Sequence, residues 1–255
     1  MIDDNVVDDL QADHGTGISE FRSSGVVEVA RNQVSGTSAS AIECTANAGK
    51  VTIVDNVLRP GPSVFGGVAG YGIEVNGRGA YVVEHNDILV ESPGGIGIWA
   101  FGAVGFNFGA VTSPVIARNH VALNPVGPYL DGNFYDDGID LAGLVSGAYV
   151  GQNKIEGKGF SAFSLFAASF DPATQPSDIG FNTYVGNNIA QVDAQVADLV
   201  LDVPTHDNVF NGRSGTVLDF GFRNSITGFD RIAGSSSGLQ TSAAMHLRNA
   251  ADQRH

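Results

Sequence analysis

Four aspartates lie close together in the segment DGNFYDDGIDL, the densest acidic cluster of the chain. They are Asp131, Asp136, Asp137 and Asp140. Carboxylate oxygens are the ligands that Ca²⁺ prefers in proteins. The cluster therefore predicts a Ca²⁺ site built from Asp131 and Asp136 with Asp137, and the alternative interpretation is a solvated acidic loop.

A second set of acidic residues follows the isoleucines of a recurring short strand. In AIECTA, GIEVNG and GIDLAG the outward residue is Glu43, Glu74 or Asp140, and we place Gly97 of GIGIWAFG between the last two. The full outward column is Ser19, Glu43, Glu74, Gly97, Asp140 and Ser164. Stacked strands lie ~4.8 Å apart, which separates Glu74 from Asp140 by roughly 9.6 Å, with Gly97 leaving space between them.

Two carboxyl groups with a water between them are what inverting glycoside hydrolysis uses, at roughly 6.5–9.5 Å. Repulsion between close carboxylates also favours a proton on one of them, which makes a general acid. Glu74 and Asp140 are therefore predicted catalytic residues. The alternative is a solvated acidic face on an acidic protein.

Aromatic and basic side chains accompany these carboxylates. Trp99 and Tyr135 present rings with a polar handle, on which the CH-rich face of a sugar packs. Arg78 and Arg118 are candidates for binding the carboxylates of uronic acids. Three insertions, at 102–114, 124–137 and 167–177, fall in the same part of the chain. The alternatives are loop packing for the rings and ordinary surface positions for the arginines.

The elements that position these residues belong to a repeat marked by an asparagine. The copies are VEVARNQV, TIVDNVL, VVEHNDI, VIARNHV and YVGQNKI, with asparagines at 32, 56, 86, 119 and 153. An aliphatic residue stands three places before each asparagine and another stands two places after it. This alternation is typical of strands with one buried face.

The asparagines are 24, 30, 33 and 34 residues apart. The shortest interval is too short for a pair of helices and indicates one turn of a parallel β-helix, with a second strand and a short third one per coil. The pattern predicts an all-β solenoid of about eight coils. We expect asparagine to turn the chain with a positive φ and its amide to bond from coil to coil.

The repeat predicts one domain over residues 1–232. Asn5 stands 27 residues before Asn32, so the chain begins inside a coil and further coils are expected upstream. Residues 233–255 begin with a flexible linker composition and continue with helical spacing at Leu239, Ala243 and Leu247. They form either a capping helix or a disordered tail.

The amino-acid composition argues against two classes of binding partner. The chain has 13 basic and 27 acidic residues, a net charge of −14, which argues against nucleic acid and anionic membranes because both bind basic surfaces. No stretch approaches the ~20 apolar residues of a membrane span. The single cysteine, Cys44, excludes an internal disulfide and is expected to be a buried apolar residue.

The repeats, together with the segment from Ala197 to Gly228, resemble the right-handed parallel β-helix superfamily with pectate-lyase-like folds. The resemblance covers residues 2–232 and implies a right-handed, single-stranded parallel β-helix. Within it, DDGID is similar to an aspartate motif of polygalacturonase-type glycoside hydrolases, which implies catalytic roles for Asp136, Asp137 and Asp140. That family's downstream His-Gly and Arg-x-Lys motifs do not occur here.

Two functional hypotheses follow. The first is an extracellular, secreted or cell-surface protein that hydrolyses or cleaves acidic polysaccharide by lyase chemistry, with Ca²⁺ as the expected cofactor. The second is a non-catalytic structural or adhesin-like β-helix protein, which the incomplete catalytic motif favours.

Overall fold

The computed structural model of the protein describes residues 1–9, 15–61, 70–103, 108–126, 136–166, 177–184 and 188–232. These residues form 28 β-strands and no helix. All pairings between the named strands are parallel, and the chain returns to each sheet once per coil. The all-β, parallel architecture predicted from the repeat is confirmed.

Three stacked sheets make up the sides of the coil. Sheet 1 contains β1 (Ile2–Asp3), β4 (Val26–Ala30), β7 (Lys50–Val54), β10 (Ala80–Glu84), β14 (Val115–Ala117), β17 (Tyr149–Gly151), β21 (Thr183–Tyr184), β25 (Val209–Asn211) and β27 (Ser225–Thr227). Sheet 2 contains β2 (Val6–Val7), β5 (Gln33–Ser35), β8 (Val57–Arg59), β11 (Asp87–Val90), β15 (His120–Leu123), β18 (Lys154–Gly159) and β22 (Ile189–Ala194).

Sheet 3 follows sheet 2 in each coil that contains both sheets. Its main path contains β3 (Ile18–Phe21), β6 (Ser40–Thr45), β9 (Tyr71–Asn76), β12 (Ile96–Gly102), β16 (Asp137–Ser146), β19 (Ser161–Phe166), β23 (Leu199–Leu201), β26 (Thr216–Asp219) and β28 (Asp230–Arg231). Three short strands lie off this path. β13 (Val111–Thr112) and β20 (Asp178–Gly180) pair with β16, and β24 (Thr205–His206) pairs with β20.

The interior is lined by the aliphatic columns that the sequence predicts. The sheet 1 column of Val29, Ile53, Val83, Ile116 and Val150 is in register and fully buried. The sheet 2 column of Val34, Leu58, Ile88, Val121 and Ile155 is also in register and buried. Each such side chain contributes roughly 1.5–3 kcal/mol through burial, so these columns are the main source of cohesion between coils.

A ladder of hydrogen-bonded asparagine side chains stabilises the corner between sheets 1 and 2. Each amide Nδ2 donates to the Oδ1 of the next asparagine at 2.9–3.1 Å. The ladder runs through Asn5, Asn32, Asn56, Asn86, Asn119, Asn153 and Asn188. A second ladder, Asn182, Asn208 and Asn224, lies at the corner before sheet 1 in the last coils.

The expectation that asparagine itself adopts a positive φ is wrong. The left-handed residues, with φ between 51° and 60°, each stand immediately before an asparagine of one of the two ladders. These residues are Asp4, Arg31, Asp55, His85, Arg118, Gln152, Phe181, Asp207 and Arg223. The asparagine side chain points inward into the ladder, so its neighbour makes the turn.

Sheet 2 is shorter than its two neighbours. It ends at β22, whereas sheet 1 continues through β25 and β27 and sheet 3 through β26 and β28. The chain passes from β25 to β26 through residues 212–215 alone. The last coils therefore lack the second side among the residues that the structure describes.

Candidate functional site

The outer face of sheet 3 carries the predicted carboxylates, and strand register decides which of them are neighbours. Glu43 pairs with Glu74, as the sequence predicts. Trp99 pairs with Glu74 on one side and with Asp140 on the other. Asp140 in turn pairs with Ser164. Glu74, Trp99 and Asp140 thus occupy three successive rungs of one column.

The placement of Gly97 in this column is wrong. Ile98 aligns with Ile73 and Ile139, so the residue after it, Trp99, takes the outward place. Gly97 faces the interior, where an added Cβ would lie 2.4 Å from Cγ1 of Val121. An indole, and not an open space, separates the carboxylates of Glu74 and Asp140.

Glu74 is held by hydrogen bonds from two rungs. Its Oε1 accepts from Nδ2 of Asn76 at 2.7 Å, and its Oε2 accepts from Oγ of Ser40 at 2.5 Å. Asn76 also donates to Oγ1 of Thr45, which donates to Oε1 of Glu43 at 3.0 Å. Because amide and hydroxyl groups donate to both oxygens, Glu74 acts as an acceptor with a fixed orientation. The sequence contains a pattern that could have predicted two of these partners. A polar residue stands two places after each glutamate, Thr45 after Glu43 and Asn76 after Glu74.

The aspartates at the start of β16 are buried. Asp137 is 0% exposed and Asp140 is 2% exposed. Oδ1 of Asp137 accepts from Oγ of Ser161 at 2.6 Å, and Oδ1 of Asp136 accepts from the backbone N–H of Gly94 at 2.8 Å. These bonds tie β16 to the coils on either side of it.

Trp99 belongs to a row of rings along the same face. Its ring centroid lies 5.2 Å from that of Tyr71 and 5.0 Å from that of Phe101, with the latter pair stacked. Phe108 meets Phe101 edge-on at 6.4 Å. Trp99 is 8% exposed and is part of a second apolar cluster on the outside of sheet 3. The row is a packed layer in which Trp99 and Phe101 are buried and Tyr71 and Phe108 are partly exposed.

The two predicted arginines lie at different corners. Arg78 is exposed just beyond the end of β9, and its backbone N–H donates to the carbonyl of Phe108, which brings it to the edge of the ring row. Arg118 stands at the corner between sheets 1 and 2, where its Nη1 lies 2.9 Å from Oε1 of Glu84. Arg78 therefore lies at the edge of the ring row, and Arg118 lies at a different corner of the coil.

Two predicted residues, Asp131 and Tyr135, lie outside the described residues, as do 104–107 and 167–176 of the predicted insertions. Within the described ranges there is no cluster of three or more His, Cys, Asp or Glu side chains able to hold a metal ion. The Ca²⁺ site at Asp131 and Asp136 stays a prediction.

Sequence reasoning missed a charged network on the outer face of sheet 2. His120 lies between Oδ1 of Asp87, at 2.9 Å from Nδ1, and Oε1 of Glu156, at 2.7 Å from Nε2. Burial opposes the charge of Asp87, but hydrogen bonds from Arg59 and His120 lower its pKa below the ordinary value. Hydrogen bonds from Lys154 and His120 lower the pKa of Glu156. These hydrogen bonds between charged groups connect β11, β15 and β18, which belong to successive coils.

Comparison of the chain with protein-family models, with curated proteins and with solved structures found no match. Over the ranges that the structure describes, the chain contains no helix long and apolar enough to cross a membrane.

Proposed function

We propose that the protein is a carbohydrate-active β-helix protein that acts on acidic polysaccharide, as a hydrolase or a lyase, at the outer face of sheet 3. The observation that supports this is the single column of Glu74, Trp99 and Asp140 in successive rungs. Two rungs correspond to a carboxyl separation of roughly 9.6 Å. That is close to the upper end of the ~6.5–9.5 Å range for inverting hydrolysis.

The proposal assigns different roles to the two carboxyl groups. Both oxygens of Glu74 already accept hydrogen bonds, from Asn76 and Ser40, so Glu74 takes the role of base. Asp140 is then the general acid. Trp99 lies between them, and the row of rings to which it belongs supplies the apolar surface on which a sugar ring packs.

Around this column, Arg78 at the edge of the face binds a substrate carboxylate. Asp137 orients the start of β16 through its bond to Ser161. In the same proposal, Asp131 and Asp136 would hold Ca²⁺, which would supply positive charge for binding an acidic polymer. Tyr135 provides a second stacking ring.

The proposed fold family is the right-handed, pectate-lyase-like parallel β-helix, with about eight coils. Crossover connections between parallel strands of one sheet are right-handed in about 98% of cases, which supports this hand. A polysaccharide substrate implies a secreted or cell-surface protein.

A second candidate function is a non-catalytic structural or adhesin-like β-helix. Burial favours it, since Asp137 is 0% exposed and Asp140 is 2% exposed, and a catalytic carboxyl group must touch its substrate. In this case the carboxylates of sheet 3 serve as hydrogen-bond acceptors that join coils.

Assays over a panel of acidic polysaccharides distinguish the two functions, with reducing ends reporting hydrolysis and ultraviolet absorbance of unsaturated uronates reporting lyase cleavage. We expect Glu74→Gln and Asp140→Asn each to lower the rate about 100-fold or more without unfolding the protein. Glu43→Gln, one rung away, is the matched control and retains activity. Wild-type protein that neither binds nor cleaves any member of the panel would contradict the enzymatic proposal and favour the structural one.

A further inference from the structure

The tripeptide Asn-Gly-Arg occurs twice in the chain, at residues 76–78 and 211–213. Asn76 is the last residue of β9 and Asn211 is the last residue of β25, so both copies begin where a strand ends. Asparagine before glycine is a chemically labile pair, because no side chain shields the glycine nitrogen, which attacks the asparagine amide and expels ammonia. The two copies place the same chemistry in two different environments.

The copy at Asn76 is held in the outer face of sheet 3. Asn76 is 2% exposed. Its Nδ2 donates to Oε1 of Glu74 at 2.7 Å and to Oγ1 of Thr45 at 3.2 Å. The backbone N–H of Gly77 donates to the carbonyl of Phe101 at 2.7 Å. Both reacting groups of this copy are therefore engaged by the fold and shielded from water.

The copy at Asn211 lies at the surface. Asn211 is exposed, and so are Arg213 and Ser214 in the segment that leads to β26. Oδ1 of Asn211 accepts from Oγ1 of Thr227 at 2.7 Å, whereas no group in the described part of the chain accepts a hydrogen bond from its Nδ2. The amide nitrogen that must leave is therefore not held by the protein, in contrast to that of Asn76.

One backbone hydrogen bond restrains the reaction at Asn211. The N–H of Gly212 donates to the carbonyl of Thr227 at 2.9 Å. Thr227 is exposed, and Phe229, whose ring lies beside Gly212, is half-buried. Opening of this bond therefore moves no fully buried side chain. Exposed connections of this kind open at a lower cost in free energy than the core does.

We propose that Asn211 is a deamidation site of the folded protein and that the fold protects Asn76. The backbone nitrogen of Gly212 forms a bond to Cγ of Asn211, the bond from Cγ to Nδ2 breaks, and Nδ2 leaves as ammonia with the proton of the former N–H. Water then opens the resulting succinimide at either carbonyl and gives aspartate or isoaspartate. No oxidant, reductant or second protein is needed.

The products change the surface at the end of β25. Either product adds a negative charge to a chain whose net charge is −14. Isoaspartate also adds a methylene carbon to the main chain at the position where Asn211 pairs with Thr227 of β27. The site is separate from Glu74 and Asp140 and does not depend on the proposed enzymatic activity.

The test incubates the full-length protein at mildly alkaline pH, both folded and in urea, because loss of the glycine proton is base-catalysed. Peptide mass spectrometry measures replacement of the amide by a carboxyl group at each position. In the folded protein, conversion of Asn211 is expected to exceed that of Asn76 at least tenfold, whereas in urea the two rates are expected to be similar. No conversion of Asn211 in the folded protein, or conversion of Asn76 at an equal or higher rate, overturns the proposal. A tenfold difference that persists in urea assigns the selectivity to local sequence and overturns the role of the fold.

Two variants test the mechanism at this position. Asn211→Gln is expected to form product at least tenfold more slowly with unchanged circular dichroism, because its longer side chain must close a six-membered ring. Asn124→Gln is the matched control at another exposed asparagine, which precedes Pro125 and therefore has no following N–H to attack it. This control is expected to leave conversion of Asn211 unchanged. Conversion at position 211 of Asn211→Gln at the wild-type rate shows direct hydrolysis and overturns the ring-closing step.

Discussion

Nδ2 of Asn86 lies 3.0 Å from Oδ1 of Asn119, and the backbone N–H of Asn86 donates to the same oxygen at 3.1 Å. Nδ2 of Asn119 donates in turn to the carbonyl of Val83 and to Oδ1 of Asn153. All these groups are buried, so each amide satisfies donors and acceptors in the neighbouring coils. The ladder couples the stability of one coil to the next.

Replacing Asn119 by alanine should therefore destabilise the protein. The substitution leaves the buried backbone N–H of Asn86 without its acceptor and removes the donor that Nδ2 of Asn119 supplies to the carbonyl of Val83. Each buried group left unsatisfied costs about 1–3 kcal/mol. We expect a loss on the order of 3 kcal/mol in the free energy of unfolding, measured by urea denaturation. Asn124→Ala, at an exposed position, is the control and should change it by less than about 0.5 kcal/mol.

The residue before each asparagine provides a second prediction. His85 has φ of 56°, which histidine tolerates and a β-branched residue does not. His85→Val should lower the free energy of unfolding by roughly 1 kcal/mol or more, whereas His85→Gly should not. Gln33→Val, in the exposed part of β5, is the control and should be nearly neutral. Equal effects of valine at both positions would contradict the backbone explanation.

The buried aliphatic columns of sheets 1 and 2 show how much of the fold can be predicted from the sequence. Aliphatic residues alternate on both sides of each asparagine, and a one-residue slip would move all of them out of the core, so register follows from the pattern. The left-handed residue could not be identified in the same way. Arg31, Asp55 and His85 share no chemistry, because their side chains point to solvent and only their backbone is constrained.

The candidate site was predicted less well, and GIGIWAFG shows why. The segment contains two isoleucines, and aligning on Ile96 puts Gly97 in the outward column, whereas the register follows Ile98. Both Gly97 and Ile98 face the interior, so the strand breaks its alternation at a point that a period of two does not reveal. The burial of Asp140 could not be predicted from the sequence pattern either, because it depends on packing on the outer face of sheet 3.

Gly97 yields a third prediction. A methyl group at this position would lie 2.4 Å from Cγ1 of Val121 and 2.5 Å from the carbonyl oxygen of Gly138. Gly97→Ala should therefore cost about 2–3 kcal/mol through overpacking. Gly25→Ala is the matched control, because an added Cβ at Gly25 meets no atom within 4 Å. Thermal or urea unfolding of both variants measures the difference, and a tolerated Gly97→Ala would mean that the coils do not approach as closely as described.

The last coils contain a histidine whose protonation is linked to folding. Nε2 of His206 lies 2.5 Å from Oδ1 of Asp178, and Nδ1 lies 2.8 Å from Oδ2 of Asp207. The ring stacks on Phe222, and Arg223 pairs with Asp207 from the next coil. Hydrogen bonds to Asp178 and then to Asp207 raise the pKa of His206. Folding therefore favours the charged form of His206 over the neutral form.

The direction of the pH dependence follows from this raised pKa. Stabilisation by His206 is complete below the pKa of a histidine in the unfolded chain, about 6.5, and is lost as the pH rises through the higher pKa of the folded state. We therefore expect the melting temperature of the wild type, relative to His206→Gln, to fall as the pH rises from about 6.5 through the raised pKa of the folded state. His85→Gln, at an exposed corner, is the control and should keep the wild-type profile. If wild type and His206→Gln differ by the same amount at every pH, His206 contributes packing and hydrogen bonds but no proton linkage.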